Sequence, residues 1–173
     1  MIVDEQFCQP FDENRRGLNL GEGAGYVVLV SDKVAATLKN KPAIILSGYC
    51  NANDAYHQTA SSPDGIGSFL AMSGALQKAG LKPEDIDYIN LHGTGTQNND
   101  IAGASGGIEA VFSVLALQHG IIFPNLRLQT PMVDLPFVPE RALVKNVKVK
   151  HVLSNSFGFG GNCSSLIFSK VES

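Results

Sequence analysis

No run of apolar residues in this sequence is long enough to cross a bilayer. Among the longest is Tyr26-Val-Val-Leu-Val30, against the roughly 20 residues a spanning helix needs. Charge of one sign is also scarce. Thirteen Lys and Arg against sixteen Asp and Glu leave a formal net charge of -3, which offers no basic footprint for nucleic acid. Cysteine is sparse and odd in number: Cys8, Cys50 and Cys163 show no paired metal spacing, so reduced thiols in a cytosolic protein are expected. Met1-Ile-Val-Asp-Glu lacks the basic start and apolar stretch of a signal peptide. The expectation is a cytoplasmic protein with no membrane and no nucleic-acid partner. What is present fits one soluble globular domain: 173 residues, 44% hydrophobic and 17% charged. That length can bury a core without disulfide or metal staples. Eighteen glycines against eight prolines point to tight turns and close backbone approaches.

Residues 1–20 read as irregular surface chain. Gly21-Glu-Gly-Ala-Gly25 runs into an apolar stretch, Tyr26–Val30, that predicts a strand. Ser31 is placed to cap a short helix through about Lys39, with Asp32 favourable in its first turn. Ala43–Cys50 predicts a second strand, and Asn51 to Pro63 a polar loop. Ile66, Phe69, Leu70 and Leu76 fall on one face of a helix that stops at Gly80. Pro83-Glu-Asp-Ile predicts a turn into the strand Ile86–Leu91. Ile108, Val111, Phe112 and Leu115 mark an amphipathic helix ending near Gly120. Residues 121–145 read as proline-rich connection, and Val147–Ser154 and Ser164–Ser169 as two closing strands. Alternating strands and helices predict an α/β layered fold.

Neither glycine-rich segment makes a dinucleotide site, which needs strand, then glycines, then helix. Gly21–Gly25 has a strand after it rather than before. Gly93-Thr-Gly95 follows a strand, but Asn98 stands where a third glycine belongs. His92 is more informative. It ends the apolar segment Ile86–Leu91, and strand ends are where α/β folds meet ligands. A histidine there can donate or accept a proton near neutral pH, and Thr94 and Thr96 add hydroxyls at alternate positions. Taken alone, His92 fits a structural role as well as a catalytic one. Asn155-Ser-Phe-Gly-Phe-Gly-Gly161 alternates rings with glycines, so its rings can wall a pocket while backbone N–H groups stay accessible to an oxyanion. A glycine-bulged strand with two core phenylalanines is the structural alternative.

These motifs together resemble the β-ketoacyl-(acyl carrier protein) synthases, condensing enzymes with the thiolase fold. The resemblance rests on Pro10-Phe-Asp with Arg16-Gly17, Gly21–Gly25, Asp54-Ala-Tyr-His-Gln-Thr59, Asp85–Asn90, His92-Gly-Thr-Gly-Thr96, Gly107-Ile-Glu-Ala-Val-Phe112 and Asn155 through Ser165. It implies the C-terminal half of a thiolase-like fold, a mixed sheet layered with helices. Residues 1–36 would be the tail of the family's N-terminal half and residues 37–173 its C-terminal domain. The family joins an acyl group, carried on a cysteine, to the enolate released when malonyl-acyl carrier protein loses carbon dioxide. By resemblance His92 is one of two histidines that stabilise the enolate, and Phe159 lends its backbone N–H to the oxyanion hole. Thr59, Thr94 and Thr96 would contact the pantetheine arm, Phe157 would be the aromatic gate beside the acyl pocket, and Gly158 and Gly160 would also meet the substrate. The implied partners are acyl carrier protein and, in the full-length family, a second copy of the chain. No cofactor beyond carrier-borne phosphopantetheine is implied.

Two departures follow. The acyl-carrying cysteine belongs to the N-terminal half, and none of the three cysteines here has its surroundings. An acidic helix, a Ser-Thr-Lys segment and a Gly-His pair with the second histidine are missing between Asp100 and Ile101. Either they are lost, or residues between these two positions are not included in this sequence; the pattern resumes in register at Ile101, which favours the second. The expected function is therefore that of a C-terminal fragment of a 3-oxoacyl synthase of fatty acid or polyketide-like biosynthesis, inactive alone. A chain-length-factor-like partner subunit and a Cys163–His92 thiol hydrolase are the alternatives. Lys145, Lys148 and Lys150 read as a solvated face rather than a docking patch.

Overall fold

The computed structural model describes residue 3 and residues 5–58, 61–95 and 105–171. Helix α1 (Asp32–Ala35) starts at Ser31, whose hydroxyl accepts from the Val34 amide. Strand β1 (Ile44–Asn53) leads to helix α2 (Ile66–Ala79), closed by Gly80 in the left-handed conformation. A 3-10 turn at Pro83–Asp85 precedes the short strand β2 (Tyr88–Asn90). Helix α3 (Ser105–His119), the two-residue strands β3 (Ile121–Ile122) and β4 (Val144–Lys145), then β5 (His151–Gly158), a 3-10 turn at Phe159–Gly161 and β6 (Asn162–Lys170) complete the order.

The main sheet runs β1-β6-β5-β2, antiparallel except for the parallel β2–β5 pair. Its two inner strands are covered on both faces, so they read as nearly continuous burial rather than alternation. Val152 and Phe168, paired across β5 and β6, face Ala116 and Leu117 of α3. The next pair, Leu153 and Ile167, faces Ala75 of α2 on the other side. This mixed sheet between helices is the expected α/β fold. Helix α2 approaches β1 closely at Gly48, where a Cβ would lie 2.3 Å from the Ala75 carbonyl oxygen. Gly48→Ala is expected to force strand and helix apart, at a cost of about 1–3 kcal/mol, read as a lower urea midpoint with an unchanged slope.

Four expectations need correction. The helix that Ser31 caps ends at Ala35 rather than near Lys39. Tyr26–Val30 forms no strand, because no described strand pairs with it. Strand β5 begins at His151 rather than Val147: the Asp87 carboxylate accepts from the Lys150 and His151 amides at 2.7 and 3.0 Å, in place of ladder bonds. Lys145, Lys148 and Lys150 are all exposed but share no strand, since only Lys145 lies in one.

Candidate functional site

The parallel pairing of β2 with β5 sets the site. It brings the end of β2 level with the second half of β5, with Asn90 opposite Ser154. Two residues later the chain turns sharply at His92, which holds a left-handed φ of 54°. Such a backbone is uncommon outside glycine, and here the Asn90 side chain stabilises it by accepting from the His92 amide at 3.1 Å. The imidazole is buried, with a side-chain exposure of 2%. Its Nδ1 pairs with Oε1 of Glu109 from the first turns of α3. Its ring meets Phe157 edge-on, with centroids 6.0 Å apart. The strand-end imidazole and the Phe/Gly segment therefore converge.

Phe157 is buried against Ala71 and Cys163, whereas Phe159 is 41% exposed at the turn. Only the first of the two rings is a core residue. The turn beyond them is fixed by Gly160, at a φ of 77°, whose carbonyl accepts from Asn53 of β1 at 2.7 Å. Gly158 ends β5 and sets the approach to that turn. Thr94 shares the His92 loop, and its carbonyl accepts from the Cys8 thiol at 2.8 Å. Thr59 and Thr96 lie outside the described residues. The same loop leans on the N-terminal segment: a Cβ on Gly93 would lie 2.6 Å from the Phe11 ring and 2.8 Å from Pro10.

Glu109 was not singled out as a site residue by the sequence, although it stands in the Gly107-Ile-Glu-Ala motif. Its signal is an acidic residue flanked by Ile108 and Ala110 near the start of an amphipathic helix. The second oxygen, Oε2, is buried without a hydrogen-bond partner among the described residues. Glu109 also lines a cleft of about 710 Å³ along β2, together with Phe11, Leu91, Phe112 and Phe137. That cleft does not include Phe157 or Phe159. The His92–Glu109 pair can hold the imidazole in one orientation and direct its chemistry through Nε2.

Cys163 is buried, and its sulfur interacts with the Ser68 hydroxyl and the Gly161 carbonyl rather than an imidazole. Burial pushes its thiol pKa up, Ser68 draws it down and the Asp54 charge raises it, with a net upward shift. A neutral thiol is a poor nucleophile, which speaks against the thiol hydrolase. In the folded protein, iodoacetamide is expected to modify Cys163 at least tenfold more slowly than a model thiol at pH 8, a difference that denaturant abolishes. Among the described residues no cluster of three His, Cys, Asp or Glu could hold a metal, and no helix is long and apolar enough to cross a membrane.

Residues 43–103 match the β-ketoacyl synthase C-terminal domain. The 3-oxoacyl-[acyl-carrier-protein] synthase 2 of Staphylococcus aureus strain COL is 35% identical over 97% of this chain and 48% of its own length. The structure of the ishigamide ketosynthase/chain length factor is 31% identical, covering 99% of this chain and 49% of that one, with a TM-score of 0.90. A type II PKS acyl-carrier protein in complex with its ketosynthase, bound to the hexaketide, is 27% identical over 94% of this chain and 47% of that one, with a TM-score of 0.84. The chain thus spans about half the length of the relatives it matches. The synthase alignment covers 199 positions against 173 residues here, so the relative has positions with no counterpart in this sequence. In both sequence and fold, the chain carries the C-terminal portion of the β-ketoacyl synthase family, with its thiolase-like architecture.

Proposed function

We propose that these residues form the C-terminal part of a 3-oxoacyl-(acyl carrier protein) synthase, which joins an acyl thioester to malonyl-acyl carrier protein with loss of carbon dioxide. The observation that carries this is the buried His92, held by Glu109 and set edge-on to Phe157 where β2 meets β5. Loss of carbon dioxide from the malonyl group leaves an enolate, whose oxygen gains negative charge. A pre-placed imidazole N–H beside that oxygen stabilises the transition state more than the ground state. The enolate carbon then attacks the acyl thioester, and the acyl group leaves its cysteine sulfur for the new carbon–carbon bond. That cysteine comes from the other half of the fold, since Cys8 donates to the Thr94 carbonyl, Cys50 lies in β1 against Gly74 of α2, and Cys163 is buried beside Ser68. Phe159 and its flanking glycines would supply an amide to the resulting oxyanion, and Thr59, Thr94 and Thr96 would line the pantetheine path.

The reading places residues 1–36 with the first half of the synthase and residues 37–173 with its second. It puts the unmatched positions of the relative between Asp100 and Ile101. Acyl carrier protein would be the partner, phosphopantetheine the only carrier group, a homodimer the assembled state and the cytoplasm the location. The partner-subunit alternative is not favoured, because the curated relatives matched are 3-oxoacyl synthases.

A chimaera tests the proposal. The residues of the S. aureus synthase that align with this chain are replaced by it, and every other residue of that enzyme is kept. The folded chimaera should convert acyl- and malonyl-acyl carrier protein to the 3-oxoacyl product, while the 173 residues alone should not. A folded chimaera without product overturns the reading.

A further inference from the structure

Strands β1 and β2 end on the same device. Strand β1 closes on Asn53, whose side-chain carbonyl accepts from the Ala55 amide at 2.7 Å, and Ala55 holds a left-handed φ of 51°. Strand β2 closes on Asn90, whose side-chain carbonyl accepts from the His92 amide at 3.1 Å, and His92 holds a φ of 54°. In both, an asparagine grips the amide two residues ahead, a side-chain turn that stands in for a backbone one. A left-handed backbone costs an L-residue free energy, and the gripped amide offsets that cost at each strand end. Only the second of the two turns carries the imidazole.

The φ of His92 decides where its ring goes, because rotation about N–Cα carries the Cα–Cβ bond with it. A parallel strand has a φ of roughly −120°; the turn to 54° swings the side chain through about half a revolution. Side chains of an extended strand each point to one face of the sheet. The turned His92 meets groups from both: Glu109, which belongs to α3, and Phe157, which packs on Ala71 of α2. The strand itself does not need the Asn90 side chain, since Asn90 pairs with Ser154 through the backbone. We infer that Asn90 is a positioning residue for the condensation: its side-chain oxygen holds the backbone turn that presents the imidazole to the developing enolate. Asn90 touches no reacting atom. The inference rests on the proposed function and deepens it by naming the group that fixes the backbone of His92, as Glu109 fixes its ring.

The test uses the chimaera with the S. aureus synthase. Asn90→Ala should lower kcat by about 10²-fold, the scale of a misplacement of about 1 Å, with KM for malonyl-acyl carrier protein little changed. Asn90→Asp keeps an acceptor and the same turn preference, so it should recover most of the loss; Asn90→Leu, of similar size without an acceptor, should not. Should Asn90→Ala fail to fold, Asn90→Ser, whose hydroxyl makes the turn more weakly, should show an intermediate loss. A second background separates positioning from a general role in the fold. Glycine takes a positive φ at no steric cost, so with His92→Gly in place Asn90→Ala should leave the urea midpoint and the residual rate unchanged, whereas with His92 present it should lower both. Equal losses of midpoint in the two backgrounds, a loss confined to KM, or an Asn90→Ala variant that condenses at the parent rate would each overturn the inference. A parent chimaera that folds but makes no product sinks the proposed function instead, and the comparison of midpoints then decides alone whether Asn90 holds His92. A parent that condenses while Asn90→Ala matches it leaves the proposed function standing and removes this inference.

Discussion

In the chimaera, His92→Ala is expected to lower kcat/KM for condensation by about 10²–10³-fold, the usual loss when one preorganised donor to a developing oxyanion is removed. The loss should fall on kcat, with KM for malonyl-acyl carrier protein little changed, because the hydrogen bond gains its strength only as the enolate forms. Glu109 acts one step removed. Its carboxylate contacts the imidazole on the Nδ1 side, so it positions the ring rather than touching the substrate in this mechanism. Glu109→Gln should lower kcat by up to about 10²-fold through misplacement of the ring, and Glu109→Asp should recover part of the loss. The double variant His92→Ala/Glu109→Gln should be no worse than His92→Ala alone, since residues acting as a unit are not additive. Burst measurements of carbon dioxide release separate this from a folding defect. A His92→Ala chimaera that folds and turns over normally would remove the imidazole from the mechanism.

The sequence makes some of this legible and hides the rest for identifiable reasons. The extent of helix α2 could be read from its apolar spacing and its stop at Gly80, because periodicity and capping are local. Ile66, Phe69 and Leu70 are nonetheless exposed, and the helix buries Gly67, Ala71 and Ala75 instead. Strands β5 and β6 were legible as apolar stretches around the Phe/Gly segment, though with shifted starts: the side chain of Asp87, some sixty residues away, decides where β5 begins. Residues 26–30 have strand character, but a strand needs a partner, and no local pattern tells whether one is present. The role of Glu109 was equally hidden. Its contact with His92 depends on how α3 lies across the sheet, which spacing along the chain cannot convey. The two-residue strands β3 and β4 lie around the proline-rich connection, too short to show any period. Motif resemblance did what periodicity could not, pairing His92 with the Phe/Gly segment, where its ring meets Phe157.

Asp12 should be the costliest polar side chain to remove outside the site. It is fully buried. One carboxylate oxygen accepts from the Gln129 and Thr130 amides at 2.7 Å each, and the other from the Asn14 amide at 2.8 Å. Backbone bonds from Glu13 to Thr130 and from Met132 to Phe11 flank it, so Asp12 ties the N-terminal segment to the connection between β3 and β4. Because Pro10 and Phe11 pack on Gly93, the same tie braces the His92 loop. Charge-assisted bonds contribute about 1.5–3 kcal/mol each; allowing for water entering the vacated space, Asp12→Ala is expected to cost about 3–5 kcal/mol in urea unfolding. Asp12→Asn, which keeps the shape, should recover only part, since its NH₂ would face amide donors. The pH dependence has a definite sign. Burial alone would raise this carboxyl, but the amides of Asn14, Thr130 and Gln129 and the Asn14 side chain outweigh it and hold its pKa below the ordinary value. A group depressed on folding adds stability above its unfolded pKa, near 3.9, and loses it as pH falls through the lower folded value. The gap in stability between wild type and Asp12→Ala should therefore be full at pH 6 and shrink below about pH 4. A gap that stays constant down to pH 2 would mean that packing, not the carboxylate, holds the two segments together.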